Sequence, residues 1–514
     1  MLATLSIAVH PARSQGSGSG SGDPGDVADP AEDDGTTAGA GSALVAPKEP
    51  KARAQWLVDR LAATVSSRPA LATARIGYQF VDLRTNALLS ARDGDKPFNL
   101  ASNVKILTGA AALAGLGGGF RWRTAVYGET EPDDTGTIAG DLYVRGRGDP
   151  TLSVAALQQL AHDVAARGVR NIEGKLVLDA GYFDKDVEPP HFTEQPKERA
   201  AFRAPVASFG VNRSAVTLTV MPEPGGAARV TLDPKTEYYV LAKAEVTSVV
   251  EGRTRLKVEQ KQKKDHVELE VTGQIKIGEG SWDLRRRVDD PARFAAEVFE
   301  RALEREGIKI RKPQLATGTV PLTAKLLAHH DSPPLLDVVR AMNKYSDNYV
   351  AESILKTLGA ELKGTAGPAT WADGLAAVRT QLAKLGLATG SYRVGNGSGL
   401  YAASEVTPKQ LVTLLAAAHR DYRIGPDLLA SLPVGGLDGT LARRWHGKAA
   451  AGRVRAKTGT LDKVITLAGY VALDPDRVVA FAILVNDVAA KDRKLARAAM
   501  DEMIDVIVAY LAPQ

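Results

Sequence analysis

The 514-residue chain contains no cysteine. That absence removes structural disulfides, thiolate nucleophiles, cysteine-ligated metals and iron–sulfur clusters at once. Whatever chemistry it carries runs on oxygen and nitrogen. Aromatic residues make up only 5%, too few for base-stacking platforms. The net charge of +5, from 65 Lys plus Arg against 60 Asp plus Glu, is spread thinly. Phosphate recognition needs a concentrated basic face, so nucleic acid is not an expected partner. No apolar run approaches the roughly 18 to 20 residues that span a bilayer, so any membrane association is expected to be peripheral. What the chain does have is length and 44% hydrophobic residues. At roughly 100 to 200 residues per domain, these support two to four domains with ample core.

The first fifty residues read as leader and tether. Leu2 to Val9 (LATLSIAV) is apolar but short and lacks a basic flank. It is either the end of a secretory signal whose start lies upstream, which makes the protein exported, or a ragged terminus. Gln15 to Lys48 is Gly, Ser, Asp, Ala and Pro, a composition that cannot bury a core. Globular patterning begins near Ala52 with a helix through Thr64. Strands at Ala74–Val81 and Ala87–Ala91 follow around a turn at Asn86. Asn99 is a plausible N-cap for an Ala- and Leu-rich helix that Gly115 and Gly117 close.

From about 122 to 312 the chain changes to short strand-like runs with one clear helix, Val154–Arg167. Helix signals return at Pro291–Glu306, Leu335–Lys344 and Tyr349–Leu358. Three strands then precede a last amphipathic helix, Arg493–Leu511, whose stripe of Leu495, Ala499, Met503, Val506, Ile507, Tyr510 and Leu511 is expected to pack on a sheet. The simplest architecture is one α/β domain, residues 51–121 and 313–514, interrupted by a β-rich insertion.

Three short motifs stand in order: Ser102-Asn103-Val104-Lys105, Ser346-Asp347-Asn348 and Lys457-Thr458-Gly459-Thr460. This set resembles that of penicillin-binding proteins and class A β-lactamases. On a helix, residues three apart share a face, so Ser102 and Lys105 can bring hydroxyl and amine within hydrogen-bond reach. A serine hydroxyl needs a base, and Lys105 can serve only when held neutral, which burial and the charge of Lys457 favour. Ser346 suits proton relay to a leaving amine, and the Asn348 amide suits a substrate carbonyl. Thr458 and Thr460 suit a carboxylate. Gly459 lets a strand approach closely, and backbone N–H groups of Ser102 and Thr460 suit an oxyanion. A second Ser-x-x-Lys, Ser353 to Lys356, follows too closely on the middle motif and is expected to be ordinary helix surface.

Spacing narrows the resemblance. Ser102 and Ser346 are 244 residues apart, and Ser346 and Lys457 are 111 apart. The chain resembles the D-alanyl-D-alanine carboxypeptidase/endopeptidase family of class C penicillin-binding proteins, peptidase family S13, over approximately residues 52 to 512. That resemblance implies an antiparallel sheet flanked by helices and two inserted domains, one from 122–147 with 224–312 and the other from 148–223. It also implies a serine D,D-peptidase without cofactor or metal. Its partners would be peptidoglycan stem peptides, terminal or cross-linked, and β-lactam antibiotics, in the periplasm or cell envelope. Gly146-Arg147-Gly148-Asp149-Pro150-Thr151-Leu152, Ala204-Pro205-Val206 and Asn396-Gly397-Ser398-Gly399-Leu400 resemble further family landmarks.

Three departures stand out. Asn396 replaces the usual Asp and Tyr401 replaces a small polar residue. The loop from Thr193 to Arg199 has no Asp for the ammonium of a stem-peptide diamino acid, leaving Glu194 or Glu198 as substitutes. The rival readings are a β-lactamase or serine esterase, for which no Glu-x-x-Asn loop is found between the second and third motifs, and a non-catalytic wall-binding protein.

Other features have simpler explanations. Arg147-Gly148-Asp149 is a Gly-Asp-Pro turn rather than an adhesion tripeptide. Arg253 to Lys264 reads as a solvated basic hairpin face. His329-His330 lacks the companions of a metal site, and the Gly115–Gly119 run is a helix stop rather than a phosphate loop.

Overall fold

The computed structural model describes residues 44–513 apart from 313 and 402. The expected leader and most of the tether lie outside the described residues. Two compact units emerge, residues 217–285 and the remainder.

The larger unit is organised by a five-stranded antiparallel sheet in the order Val454–Leu461, Val464–Ala472, Val478–Asn486, Arg75–Asp82, Leu88–Arg92. The two central C-terminal strands read as unbroken apolar runs because both faces are covered. Alternation sorts their side chains between two cores. Ile465, Leu467, Phe481 and Ile483 join one core with helices Pro50–Ser66 and Arg493–Leu511. Ala468, Tyr470, Ala480, Ala482 and Leu484 face the other, which is built on helices. The last helix therefore packs as its stripe predicts, with Leu495 and Tyr510 at the margin.

At the centre of the helical layer is Val104–Leu116, in which every residue from Val104 to Leu113 is buried. A helix apolar on all sides belongs in an interior. Around it lie Leu335–Tyr345, Asn348–Leu362, Trp371–Lys384 and the short helix Gly425–Ser431, while Pro408–Arg420 shares the same core and packs on the sheet. Gly117 stops the central helix with φ of 79°, as the glycine run suggests.

The expected division of the insertion is corrected by its strand pairing. Leu142–Arg145 pairs in parallel with Leu176–Asp179 across helix Val154–Ala166, and both belong to a sheet with Arg123–Gly128, Ala316–Thr317 and Lys325–Asp331. A boundary at 147/148 would cut that sheet. The separable unit instead comprises 217–285. Within it, Arg255–Gln262 pairs antiparallel with Val267–Lys276, which pairs in parallel with Tyr239–Val249. Its basic run is a solvated face as expected, with Lys257, Lys261 and Lys263 engaging Glu259, Glu270 and Glu268.

Candidate active site

The nucleophile candidate is placed by a clamp between the sheet and the central helix. Asn486, at a strand end, accepts from Asn99 N at 2.8 Å and returns a bond to Asn99 O at 3.1 Å. Asn99 Oδ1 in turn accepts from Ala101 N, so Asn99 closes an Asx turn that leads into the 3₁₀ turn Ala101–Asn103 and does not cap the α-helix. Ala101 has φ of 46°, a left-handed conformation that an alanine adopts only under constraint. Ser102 sits on that turn. Lys105, fully buried, lies one turn on, and its Nζ donates to Ser102 Oγ at 3.0 Å.

The middle motif occupies a junction between helices. Ser346 ends Leu335–Tyr345 in a left-handed conformation (φ 58°), and Asp347 caps the next helix by accepting from Val350 N at 3.0 Å. Asn348 is that helix's first residue. Its Oδ1 accepts from Lys105 Nζ at 2.7 Å, while its Nδ2 donates to Phe202 O at 3.2 Å. The two lysines are thus tied to two serines, because Lys457 Nζ donates to Ser346 Oγ at 2.8 Å.

Lys457 lies on the edge strand Val454–Leu461 and is fully buried. A Cβ at Gly459 would stand 2.2 Å from Thr466 Oγ1, 2.8 Å from Leu100 O and 3.0 Å from Ser102 N. Only glycine permits the strand to run this close to the serine. Thr458 Oγ1 is bonded to Thr440 Oγ1 at 2.9 Å. Thr460 follows at the register position opposite Ile465.

The segment Asn396–Leu400 closes the other side. Lys105 Nζ donates to Ser398 O at 2.9 Å, and Thr108 Oγ1 donates to Gly397 O at 2.7 Å. The Asn396 departure has a clear bonding pattern. Its Oδ1 accepts from Gly399 N at 2.8 Å, and its Nδ2 donates to the carbonyls of Pro190 and Leu400, each at 3.1 Å. Tyr401 stacks edge-on against Phe192 and lies beside the Arg203 guanidinium. Neither substitute carboxylate in the preceding loop stands free. Glu194 is paired with His191 at 3.0 Å, and Glu198 accepts from Ala200 N at 2.8 Å.

The reading of Ser353–Lys356 as helix surface is corrected. Both residues are fully buried. Ser353 Oγ donates to Tyr349 O rather than meeting the lysine. Lys356 Nζ reaches Asp184 and the carbonyl of Asp186, each at 2.6 Å, and lies 4.4 Å from the Trp371 ring centroid. The pair is structural because its helix is enclosed by two others. Missed altogether from the sequence was Glu352, a fully buried carboxylate one turn beyond Asn348. An acid at i+4 from Asn348 of the motif, on the same helix face, was the available signal.

Among the described residues, no group of His, Cys, Asp or Glu is arranged to hold a metal, and no helix is long and apolar enough to cross a membrane.

A serine on the 3₁₀ turn that leads into a buried helix, an amine three residues on, and a second amine–hydroxyl pair beside a glycine-bearing edge strand make the arrangement that a serine acyl-transfer enzyme of the penicillin-binding fold requires. The model of the D-Ala-D-Ala carboxypeptidase 3 (S13) family matches residues 57–506. A D-alanyl-D-alanine carboxypeptidase of Actinomadura sp. (strain R39) is 36% identical over 435 residues, covering 81% of this chain and 79% of its own. The D-alanyl-D-alanine carboxypeptidase DacB of Haemophilus influenzae is 26% identical, with coverages of 81% and 86%. The crystal structure of penicillin-binding protein 4 from H. influenzae superposes with a TM-score of 0.72 at 22% identity, over 87% of this chain and 97% of that one. The chain belongs to the D-Ala-D-Ala carboxypeptidase 3 (S13) family and is a serine-type carboxypeptidase.

Proposed function

We propose that Ser102 carries the acyl group in a D,D-peptidase cycle on peptidoglycan stem peptides, with Lys105 as its base. The observation behind this assignment is the 3.0 Å contact between Lys105 Nζ and Ser102 Oγ. Neutral Lys105 takes the hydroxyl proton as Oγ attacks the carbonyl carbon of the penultimate D-alanine. The backbone N–H groups of Ser102 and Thr460 receive the oxyanion. The C–N bond then breaks as Ser346, held by Lys457, passes a proton to the departing nitrogen and is reprotonated by the proton that Lys105 took from Ser102, which leaves Lys105 neutral again. Free D-alanine leaves a terminal peptide; a cross-linked peptide releases its partner strand as the amine. Water next attacks the ester carbonyl, neutral Lys105 takes a proton from it and returns that proton to Ser102 Oγ as the ester C–O bond breaks, so Ser102 and Lys105 are both regenerated.

Penicillin mimics the D-Ala-D-Ala end and acylates the same oxygen. The substrate lies outside the cytoplasmic membrane, so the enzyme acts as an exported protein. Incubation with labelled penicillin is expected to add one adduct mass, on the peptide containing Ser102, and Ser102→Ala is expected to abolish it. An adduct that survives Ser102→Ala would overturn the assignment. Purified monomeric and cross-linked muropeptides, followed by mass analysis, separate carboxypeptidase from endopeptidase action.

A further inference from the structure

Glu352 has no part in the steps above, yet it lies directly behind them. The helix Asn348–Leu362 presents Asn348 and Glu352 on one face, a turn apart. Asn348 meets Lys105 directly. Glu352, with none of its surface exposed, meets the backbone beyond: Oε2 accepts from Gly397 N at 2.9 Å and Oε1 from Ser398 N at 2.8 Å. The carbonyls of the same two residues point away, Gly397 O to Thr108 Oγ1 and Ser398 O to Lys105 Nζ. One short segment is therefore held from opposite sides by a carboxylate and an amine. Burial raises the Glu352 carboxyl above its usual range, while the Ser398 hydroxyl, the two N–H bonds and nearby Lys105 oppose that rise.

We propose that Glu352 is a positioning residue: it fixes the Ser398 carbonyl on Lys105 and supplies the negative charge opposite the ammonium that forms when Ser102 loses its proton. This rests on the assignment of Lys105 as base. The physical argument is that a buried cation needs a compensating charge, and that fixed dipoles aimed at it need no reorganisation during reaction. Other charged groups on the surrounding elements are already engaged. Lys457 on the edge strand holds Ser346, Lys356 further along the same helix holds Asp184, and Asp373 on the neighbouring helix is bound to Thr370. Arg203 donates to backbone carbonyls of the 192–198 loop.

The test is the pH profile of penicillin acylation, followed by intact mass. Acylation rises with pH as Lys105 becomes neutral, and an anion at 352 holds that rise at higher pH. Glu352→Gln keeps the size, removes the charge and turns one acceptor into a donor facing an N–H. Its acylation rate constant is expected to fall ten- to a hundredfold, with the midpoint of the rise about one pH unit lower. Thr108→Val cuts the same segment loose without altering charge and is expected to lower the plateau while leaving the midpoint in place. A Glu352→Gln midpoint equal to that of the wild type, or a rate within twofold of it, overturns the proposal. Should Glu352→Gln fail to fold, Glu352→Asp decides. It retains charge but not the reach to both N–H groups, so a rate near wild type refutes the positioning role and a tenfold loss at an unmoved midpoint supports it. Wild type that is not acylated at all removes the Lys105 assignment itself, a distinguishable failure.

Discussion

Gly459→Ala isolates how closely the edge strand must approach the nucleophile. The added methyl would lie 2.8 Å from Leu100 O and 3.0 Å from Ser102 N, both backbone atoms, and 2.2 Å from Thr466 Oγ1. Ordinary contact begins near about 3.4 Å, so the strand or the serine turn must retreat by roughly half an ångström. Thr466 cannot simply swing aside, because its hydroxyl is bonded to Leu100 O at 2.8 Å. Overpacking of this kind costs about 1 to 3 kcal/mol of stability. Misplacing reacting groups by an ångström costs about a hundredfold in rate, so this half-step predicts a loss of about tenfold or more. The assays are thermal unfolding and the time course of penicillin adduct formation.

The double variant Gly459→Ala with Thr466→Ala sharpens the reasoning. It removes the severest overlap but leaves both backbone contacts, so acylation should remain impaired even if stability partly recovers. A single variant that acylates within twofold of wild type would refute the claim that the bare backbone at 459 is required.

Four further outcomes are expected. Lys105→Met should abolish measurable acylation, a loss of at least about 10² to 10⁴. Lys356→Met should acylate within threefold of wild type while losing about 2 to 4 kcal/mol of stability as the buried pair with Asp184 breaks, which unfolding and adduct assays separate. Asn396→Asp should destabilise by about 2 kcal/mol near neutral pH, because two carbonyls that now accept from Nδ2 would face a carboxylate oxygen; melting temperature reads this directly. The Asp505 carboxyl is pushed up to about 6, chiefly by burial, with Lys448 opposing and Asp501 and Glu502 reinforcing the rise. A raised folded-state value means that its contribution is intact below about pH 4 and is lost as pH climbs through 6. Asp505→Asn should therefore gain about 2 kcal/mol over wild type at pH 8 and nothing at pH 4, as denaturant unfolding at the two values will show.

Elements with a strong local cause were legible in advance. The apolar strands Val464–Ala472 and Val478–Asn486, the all-round buried helix after Ser102 and the final amphipathic helix each follow from patterning within one segment. Helices Trp371–Lys384 and Pro408–Arg420 were passed over although capping boxes announce both, Thr370 with Asp373 and Thr407 with Gln410. The motif residues converge as their order suggested, since chemistry constrains residue type and spacing together. The contacts around them were not legible, because they join residues far apart in the chain. Nothing local to Glu352 announces Gly397 and Ser398 as its partners, and nothing in Ser353–Lys356 reveals that Asp184 and Trp371 enclose it.

The long separation of the first two motifs is compatible with a tight site because the insertion leaves and returns at one place. Trp122 N donates to Ser332 Oγ, Ser332 N donates to Trp122 O, and Leu335 N donates to Phe120 O, all within 2.8 to 3.0 Å. Arg123–Gly128 then pairs antiparallel with Lys325–Asp331, locked at its base by Arg123 and Asp331. With the ends fixed by this stem, extra length adds only a slowly growing closure cost and transmits no strain to the helices that carry Ser102 and Ser346. Yet the insertion is more than a closed loop. Its segment 202–213 returns to the middle motif, where Phe202 O accepts from Asn348 Nδ2 and Arg213 pairs with Asp347 at 3.0 Å. Deleting the insertion at its stem would preserve the catalytic sheet but leave the residue that contacts Lys105 without its second anchor.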